Sequence, residues 1–273
     1  MTATVEGVRP TVRPLQMAAI VPVITAGVLL SALLLLVLGL LGLLAGLLLT
    51  ALAAVGRLRG LTRGIEAEVL GRIGAEAPSG ALEARLDNLA ESLAAQSGVP
   101  VPLLRVVDDP GANMLVVGTA PDAAVLVVTT GLLAGLDRMQ LEAIVGRGIA
   151  EIRSGDLPAS TMAVRSVGRP AAALDAGGPR ALVARPFAGL VTAGAAFVGD
   201  PDRDLLLDQA AVALTRFPPA LISALERCAA IGTELRRQDP ALDHLWMAAT
   251  GATGRAVVER PDLQLRIEAL RLL

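Results

Sequence analysis

The run VPVPLLRVVDDPGANMLVVGTAPDAAVLVVTTGLLAGLDRMQLEAIVGRGIAEIRSGD, Val99–Asp156, holds three short β-rich pieces followed by one helix. Leu103–Val107, Met114–Val117 and Ala124–Thr129 are rich in Val and Leu, and each is bounded by Asp, Pro, Gly or Asn, the residues that end strands. From about Arg138 to Arg153 the apolar spacing becomes that of a helix. Strands followed by helices, without regular alternation, predict a segregated α+β fold rather than a doubly wound sheet. The expected arrangement is a small sheet from residues 103–128 packed on the helix Arg138–Arg153 and on a later helix starting near Asp202.

Upstream, residues from about Gly60 to Gly98 read as helices. Leu82, Leu86, Leu89 and Leu93 recur at a spacing of three to four, Glu83, Arg85, Asp87 and Glu91 fall mostly on other faces, and Gly98 and Pro100 stop the pattern. Downstream, the pattern dissolves between Gly155 and Gly199 into Pro, Gly, Ala and isolated Arg, which predicts a loose, loop-rich insertion over about 155–200. Within it Pro186–Val198 is apolar for about a dozen residues, below the ~17 that span a bilayer, and reads as a core or interfacial helix. After Pro201 helical spacing returns through Asp204, Leu207, Ala211 and Leu214, and Pro218–Pro219 opens a further helix.

The N-terminal tract is of another kind. Between Arg13 and Arg57 there is no charged residue, and Leu15–Val55 is almost unbroken Leu, Ala, Val, Ile and Gly. One straight helix of that length would measure roughly 60 Å, about twice the hydrocarbon core of a bilayer. Two spans forming a hairpin fit better. Arg9 and Arg13 precede the tract and Arg57, Arg59 and Arg63 follow it, so the positive-inside bias is met at both ends when both are cytoplasmic. A single long tilted helix is the alternative, because nothing between Ser31 and Thr50 is more polar than Gly39, Gly42 and Gly46. A cleaved signal peptide fits poorly, since its apolar core is ~7–15 residues. Gly42 and Gly46 form a small-xxx-small pair, read as packing of the two spans on each other rather than as a dimer interface. The expected organisation is a tail over residues 1–14, a transmembrane hairpin over 15–56 and a domain over 57–273, with the membrane the inner or plasma membrane and the domain cytoplasmic.

Composition excludes several functions. The chain has 273 residues, 53% of them hydrophobic and 18% charged, and its mean hydropathy is +0.62. All 24 basic residues are Arg, and 26 acids bring the net charge to -2. Nucleic acid is therefore not an expected partner, and base stacking has only Trp246 and three Phe residues to use. Cys228 is the only cysteine, so neither an internal disulfide nor a thiolate zinc site can form. His244 is the only histidine. A Ser/His/Asp triad would have to use it, and no Gly-x-Ser-x-Gly elbow accompanies it. The pieces GATG and DAGG lack the strand–loop–helix context of a phosphate site and read as turns.

The order of these pieces resembles the HtpX-like integral-membrane zinc metallopeptidases, relatives of the CAAX prenyl proteases. "VPVPLLRVVDDPGANMLVVG" and "VLVVTTGLLAGLDRMQLEAIVGRGIAEIRSGD" resemble the family's strand-rich stretch, its VTTGLL and its H-E-x-x-H helix. Asn113 and Gly118 keep the ends of an Asn-Ala-Phe-Ala-like run whose middle is replaced by Met114–Val117. "GDPDRDLLLDQAAVALTRFPPALISALER" is similar to the helix bringing the third zinc ligand, and "DHLWMA" and "ERPDLQLRIEALRLL" to the closing elements. The resemblance runs through most of residues 85–273 and implies a mainly helical, zincin-like domain.

The catalytic motif itself is replaced. A zincin helix needs His at i and i+4 to ligate one metal, and a Glu beside the first His as general base. By the resemblance, Arg147 stands at the first ligand, Gly148 at the base, Glu151 at the second ligand and Asp204 at the third, while Asp208 keeps a supporting Asp. A guanidinium has no lone pair to give a metal, and Gly148 has no side chain. These five positions are accordingly read as vestigial: no metal, no cofactor and no catalytic residue is expected. A substitute site built from His244, Cys228, Glu151 and Asp204 is not favoured.

One physical reading is that Arg147 supplies the positive charge zinc once supplied and pairs internally with Glu151, Asp204 and Asp208. The alternative is an exposed i,i+4 pair of Arg147 with Glu151, worth a few tenths of a kcal/mol. The combined substitutions Arg147→His, Gly148→Glu and Glu151→His are expected to recover zinc if Asp204 reaches it. Three functional readings stay open: a pseudopeptidase that binds a membrane protein or peptide partner, an active membrane zinc metalloendopeptidase with other ligands, and a structural membrane subunit.

Overall fold

The computed structural model describes residues 13–79, 81–189, 191–192, 201–254 and 260–273. At its centre lies a three-stranded mixed sheet in the order β1-β3-β2. β1 (Leu103–Val107) runs parallel to β3 (Val125–Thr129), pairing Leu103 with Val125, and β2 (Met114–Val117) runs antiparallel to β3, pairing Met114 with Val128. All four residues of β2 and all five of β3 are buried. Such strands read as continuous apolar runs because both faces are covered. Met114, Val116, Leu126 and Val128 join the larger core with Leu86, Leu93 and Ile144. The alternate residues Leu115, Val117, Val125 and Val127 join a second core with Ile65, Val69, Val164 and Trp246.

The helices around the sheet come from the segments the spacing marks. α2 (Ile65–Ile73), on the second face, and α3 (Ala81–Ser97), on the first, lie within the predicted 60–98 region. A short α4 (Thr130–Gly135) is capped by the Thr129 hydroxyl, and α5 (Arg138–Ser154) begins with a full capping box between Asp137 and Gln140. Packed around α5 are α3, β2, and two later helices, α9 (Pro201–Thr215) and α10 (Pro218–Ile231). α5 is consequently buried almost all round between Leu141 and Ile152. α11 (Leu263–Arg271), capped by Asp262, closes against α10 and α9.

Residues 157–187, where the sequence suggests a loop-rich insertion, are helical. α6 (Leu157–Ala163) passes through a π-helical turn, Val164–Gly168, into α7 (Arg169–Ala176) and then α8 (Gly178–Ala184). The Pro residues that mimic breakers here sit at the first turns of these helices, where a missing N–H costs nothing. Only part of the apolar run Pro186–Val198 lies among the described residues, which omit 190 and 193–200.

The N-terminal helix α1 spans Arg13–Thr62, but Gly39 breaks it with φ 62° and ψ -149°. A Cβ added at Gly27 would lie 2.2 Å from Thr50 Oγ1, and one added at Gly46 would lie 2.7 Å from Ser31 Cα. In a straight helix residues 27 and 50 would be ~35 Å apart. The two halves therefore lie against each other in antiparallel fashion. The hydroxyls at the contact are satisfied within their own arm, Ser31 donating to Gly27 O at 2.7 Å and Thr50 to Gly46 O at 2.7 Å. Both ends of α1 reach the same part of the domain: Leu15 packs with Ala159, Ala163 and Val167, while Ala19, Leu58 and Leu61 pack with Met162. Between these ends the arms are apolar and exposed, with Leu36 at 84% and Leu41 at 79% exposure flanking the break.

Candidate functional site

α5, α9 and α11 bring a set of charged side chains together inside the protein. Arg147, near the middle of α5, is 1% exposed. Its Nε donates to Asp208 Oδ1 at 2.9 Å and its NH2 to Asp204 Oδ1 at 2.5 Å. Asp204 and Asp208 stand one turn apart on the same face of α9. Arg266, from α11, grips Asp208 with two bonds of 2.7 Å, Nε to Oδ2 and NH2 to Oδ1, while its NH1 donates to Met247 O at 2.8 Å. Glu151, one turn beyond Arg147, lies 3.8 Å from it and is bonded instead by Arg203 NH2 at 2.5 Å. Three guanidinium groups thus face three carboxylates, and the charges balance.

The structure brings Arg147, Glu151, Asp204 and Asp208 together, as the internal reading expects. An exposed i,i+4 pair does not describe them, since Arg147 and Glu151 are 1% and 2% exposed. Two emphases shift. Asp208 is held by two arginines rather than being peripheral, and Glu151 belongs chiefly to Arg203. Gly148 faces away from the charges, toward the sheet: a Cβ there would lie 2.6 Å from Leu126 Cδ1 and 3.2 Å from Met114 Sδ.

Burial works against the charges of Asp204, Arg266 and Arg203, and their partners outweigh it. Burial raises the Asp204 carboxyl, but the guanidinium of Arg147 and then Arg266, Arg260 and Arg203 hold it below its usual range. Burial lowers Arg266, and Asp208 carries it above its ordinary value; for Arg203, Glu151 does the same. Outside the set, Arg260 bonds the carbonyls of Trp246 and Asp243 and lies 3.4 Å from Asp243 Oδ2.

The remaining candidates are accounted for structurally. His244 is 6% exposed and its Nε2 donates to Ser160 O at 2.9 Å; burial pushes it down to about 4, so it is neutral at ordinary pH. Cys228 lies within the larger hydrophobic core, and burial pushes its thiol up to about 12. Arg266, Arg203 and Arg260 went unread in the sequence. Charge balance was the available signal: three acids beside Arg147 in a buried site require two further cations.

Zinc does not fit this donor set. It takes nitrogen or sulfur donors with carboxylates, and keeps an open position for water. Here each carboxylate already accepts from a guanidinium. Among the described residues no group of three His, Cys, Asp or Glu side chains is placed to hold a metal. The outer edge of β2 is also taken, since Met247 N donates to Met114 O at 2.6 Å and Leu115 bridges to Trp246. An extended peptide could not pair there without displacing them.

No family model matches the chain. Curated relatives do. A protein named Protease HtpX homolog from Dictyoglomus thermophilum is 28% identical over 206 residues, 68% of each chain, and its namesake from Dictyoglomus turgidum is 27% identical over 208 residues, again 68% of each. A third of the same name, from Tropheryma whipplei, is 31% identical over 182 residues, 60% of this chain and 62% of its own. These relationships agree with the order of motifs along the sequence, and over 60–68% of its length the chain is similar to proteins named Protease HtpX homolog, which supports an HtpX-like family.

Proposed function

We propose that this protein is a lapsed member of its family, a membrane-anchored pseudopeptidase that keeps a zincin-like scaffold and acts by binding a membrane protein or peptide. One observation carries the reading: the guanidinium of Arg147, which by the sequence resemblance stands at the first zinc ligand, is buried and bonded to Asp204 and Asp208. A permanent cation there repels a divalent ion, and Gly148 leaves no general base, a group typically worth about 10²–10⁴-fold in rate. Arg147, Gly148, Glu151, Asp204 and Asp208 are then vestigial positions with a structural role.

The same proposal places α1 in the bilayer as two spans, over about residues 15–56, with the domain of residues 57–273 on the cytoplasmic side of the plasma membrane. The exposed Leu side chains between residues 28 and 52, the arginines at each end, and the shared docking of both ends on α6 support it. A reporter fused after Leu273 is expected to read cytoplasmic.

The test is elemental analysis of the full chain purified in detergent, together with cleavage of an unfolded membrane substrate. The expected result is no stoichiometric metal and no chelator-sensitive cleavage. The name its relatives carry favours a second reading, an active membrane zinc protease. About one zinc per chain with chelator-sensitive cleavage would establish that reading instead.

A further inference from the structure

The arms of α1 are short for a membrane span. On the second arm Arg57 follows the break at Gly39 by eighteen residues, about 27 Å of helix. Arg57 does not lengthen that reach, because its NH2 is tied back to the domain at Arg165 O, 3.1 Å away. On the first arm the domain itself sets the limit: Leu15, Ala18 and Ala19 are buried, and Ala19, packed with Leu61 and Met162, precedes Gly39 by twenty residues, about 30 Å. Thr50 lies beside Gly27 and Gly46 beside Ser31, so the arms run in step and share one tip. At the ~20° tilt usual for membrane helices the shorter arm reaches about 25 Å along the bilayer normal, against a hydrocarbon core of ~30 Å.

Both ends of that distance need water. A reversal between two helices leaves C=O groups at the end of one and N–H groups at the start of the other without helical partners, and hydrocarbon strongly disfavours such groups. No side chain near the tip can satisfy them. Every residue from Ala32 to Leu49 is apolar or glycine, and the hydroxyls of Ser31 and Thr50 bond Gly27 O and Gly46 O within their own arms. The opposite end is fixed by charge: Arg57, Arg59 and Arg63 stand there with the domain at Arg165 against them, a boundary that hydrocarbon does not cross. Between these limits Leu36, Leu48 and Leu52 offer only an exposed apolar surface.

We propose that the hairpin is a surface for short acyl chains: it associates preferentially with lipids of a thin bilayer, and draws the two interfaces together where the bilayer is thicker. The proposal rests on the reading of α1 as a membrane hairpin. Leu48, midway along the second arm and 61% exposed, takes the reporter. The full chain carrying Leu48→Trp is reconstituted in brominated dioleoylphosphatidylcholine, which quenches a tryptophan in contact with its chains. Trp246, 4% exposed in the domain, supplies a constant background. Unbrominated phosphatidylcholines with dimyristoleoyl, dioleoyl or dierucoyl chains then compete for the hairpin surface. The short-chain lipid is expected to displace the quencher best and the long-chain lipid worst, with about tenfold between them, since the cost grows with each Å of mismatch.

Lengthening each arm by two turns of Leu and Ala, between Leu35 and Leu36 and between Leu41 and Gly42, is expected to move the optimum to the dierucoyl lipid. An optimum that stays in place overturns arm length as its cause. Quenching with equal affinity for all three lipids, or with a preference of the original hairpin for dierucoyl chains, overturns this proposal and leaves the hairpin in the bilayer. Absence of quenching by the brominated lipid overturns the membrane reading of α1, and this proposal with it.

Discussion

Replacing Arg147 with Met isolates the buried charge network. Met keeps much of the apolar stem and removes the guanidinium, so the loss is electrostatic rather than a matter of packing. Asp208 keeps both bonds from Arg266, and Glu151 keeps Arg203. Asp204, whose side-chain bond comes from Arg147, is left as a buried carboxylate without its direct partner. Breaking one side of such a pair costs about 3–5 kcal/mol. Removing both charges, in Arg147→Met/Asp204→Leu, leaves two guanidinium groups facing two carboxylates and is expected to restore stability to within about 1 kcal/mol of wild type. Trp246, the only tryptophan and 4% exposed, reports unfolding of the detergent-solubilised chain by fluorescence.

The pH dependence has a definite sign. In the wild type Asp204 is held low, so it contributes stability above its ordinary range that is lost as pH falls through its folded value. In Arg147→Met burial is opposed by fewer cations and raises the same carboxyl, so the variant should recover stability on mild acidification where the wild type does not. A loss below about 1 kcal/mol in the single variant, or a double variant as unstable as the sum of both changes, would refute the network as described.

His244 is expected to make the protein acid-labile: its ordinary value of 6.5 falls to about 4 in the fold. The unfolded chain therefore binds the extra proton between those values, and stability should drop by about 3 kcal/mol as pH falls from 6.5 to 4, a slope that His244→Gln should flatten in pH-dependent unfolding. Gly46→Leu drives a side chain against Ser31 Cα, only 2.7 Å from a Cβ at that position, so it should separate the arms of α1 and lower the unfolding temperature, whereas Gly56→Leu, whose Cβ meets nothing, should not. The combined Arg147→His, Gly148→Glu and Glu151→His variant should fail to gain stoichiometric zinc, against the expectation from the motif alone. The carboxylate added in place of Gly148 would point into Leu126 and Met114, and Arg203 would lose its partner; zinc uptake measured by elemental analysis would contradict this.

The sheet and the helices around it were legible because their residues obey local rules. Met114–Val117 and Val125–Thr129 are apolar runs ended by Gly or Thr, and Asp137 with Gln140 marks the start of α5. The helices over 157–187 were not legible for an equally local reason. Pro158, Pro170, Pro179 and Pro186 read as breakers in a one-dimensional pattern, yet each stands in the first turn of a helical piece, where proline is compatible with helix. The fold-back of α1 depends on Gly39 adopting a positive φ within an apolar run, and glycine at 39, 42 or 46 could each have done this.

At the candidate site the sequence named the acids and Arg147 but left the charges unbalanced, and that imbalance contained the answer. Two uncompensated carboxylates in a buried site would be strongly destabilising, so the fold must carry two more cations near them. Arg203 is adjacent in sequence to Asp204, yet it serves Glu151 on α5; Arg266 lies 58 positions from Asp208 and binds it through two nitrogens. Neither pairing follows from helical spacing, because each joins different helices. Arg266 and Asp208 would remain paired without Arg147, and so would Arg203 and Glu151. What Arg147 itself balances is therefore Asp204, the residue that the sequence resemblance sets at the third ligand. On the proposed reading, the residue at the first-ligand position thus neutralises the one at the third by a direct, charge-assisted hydrogen bond.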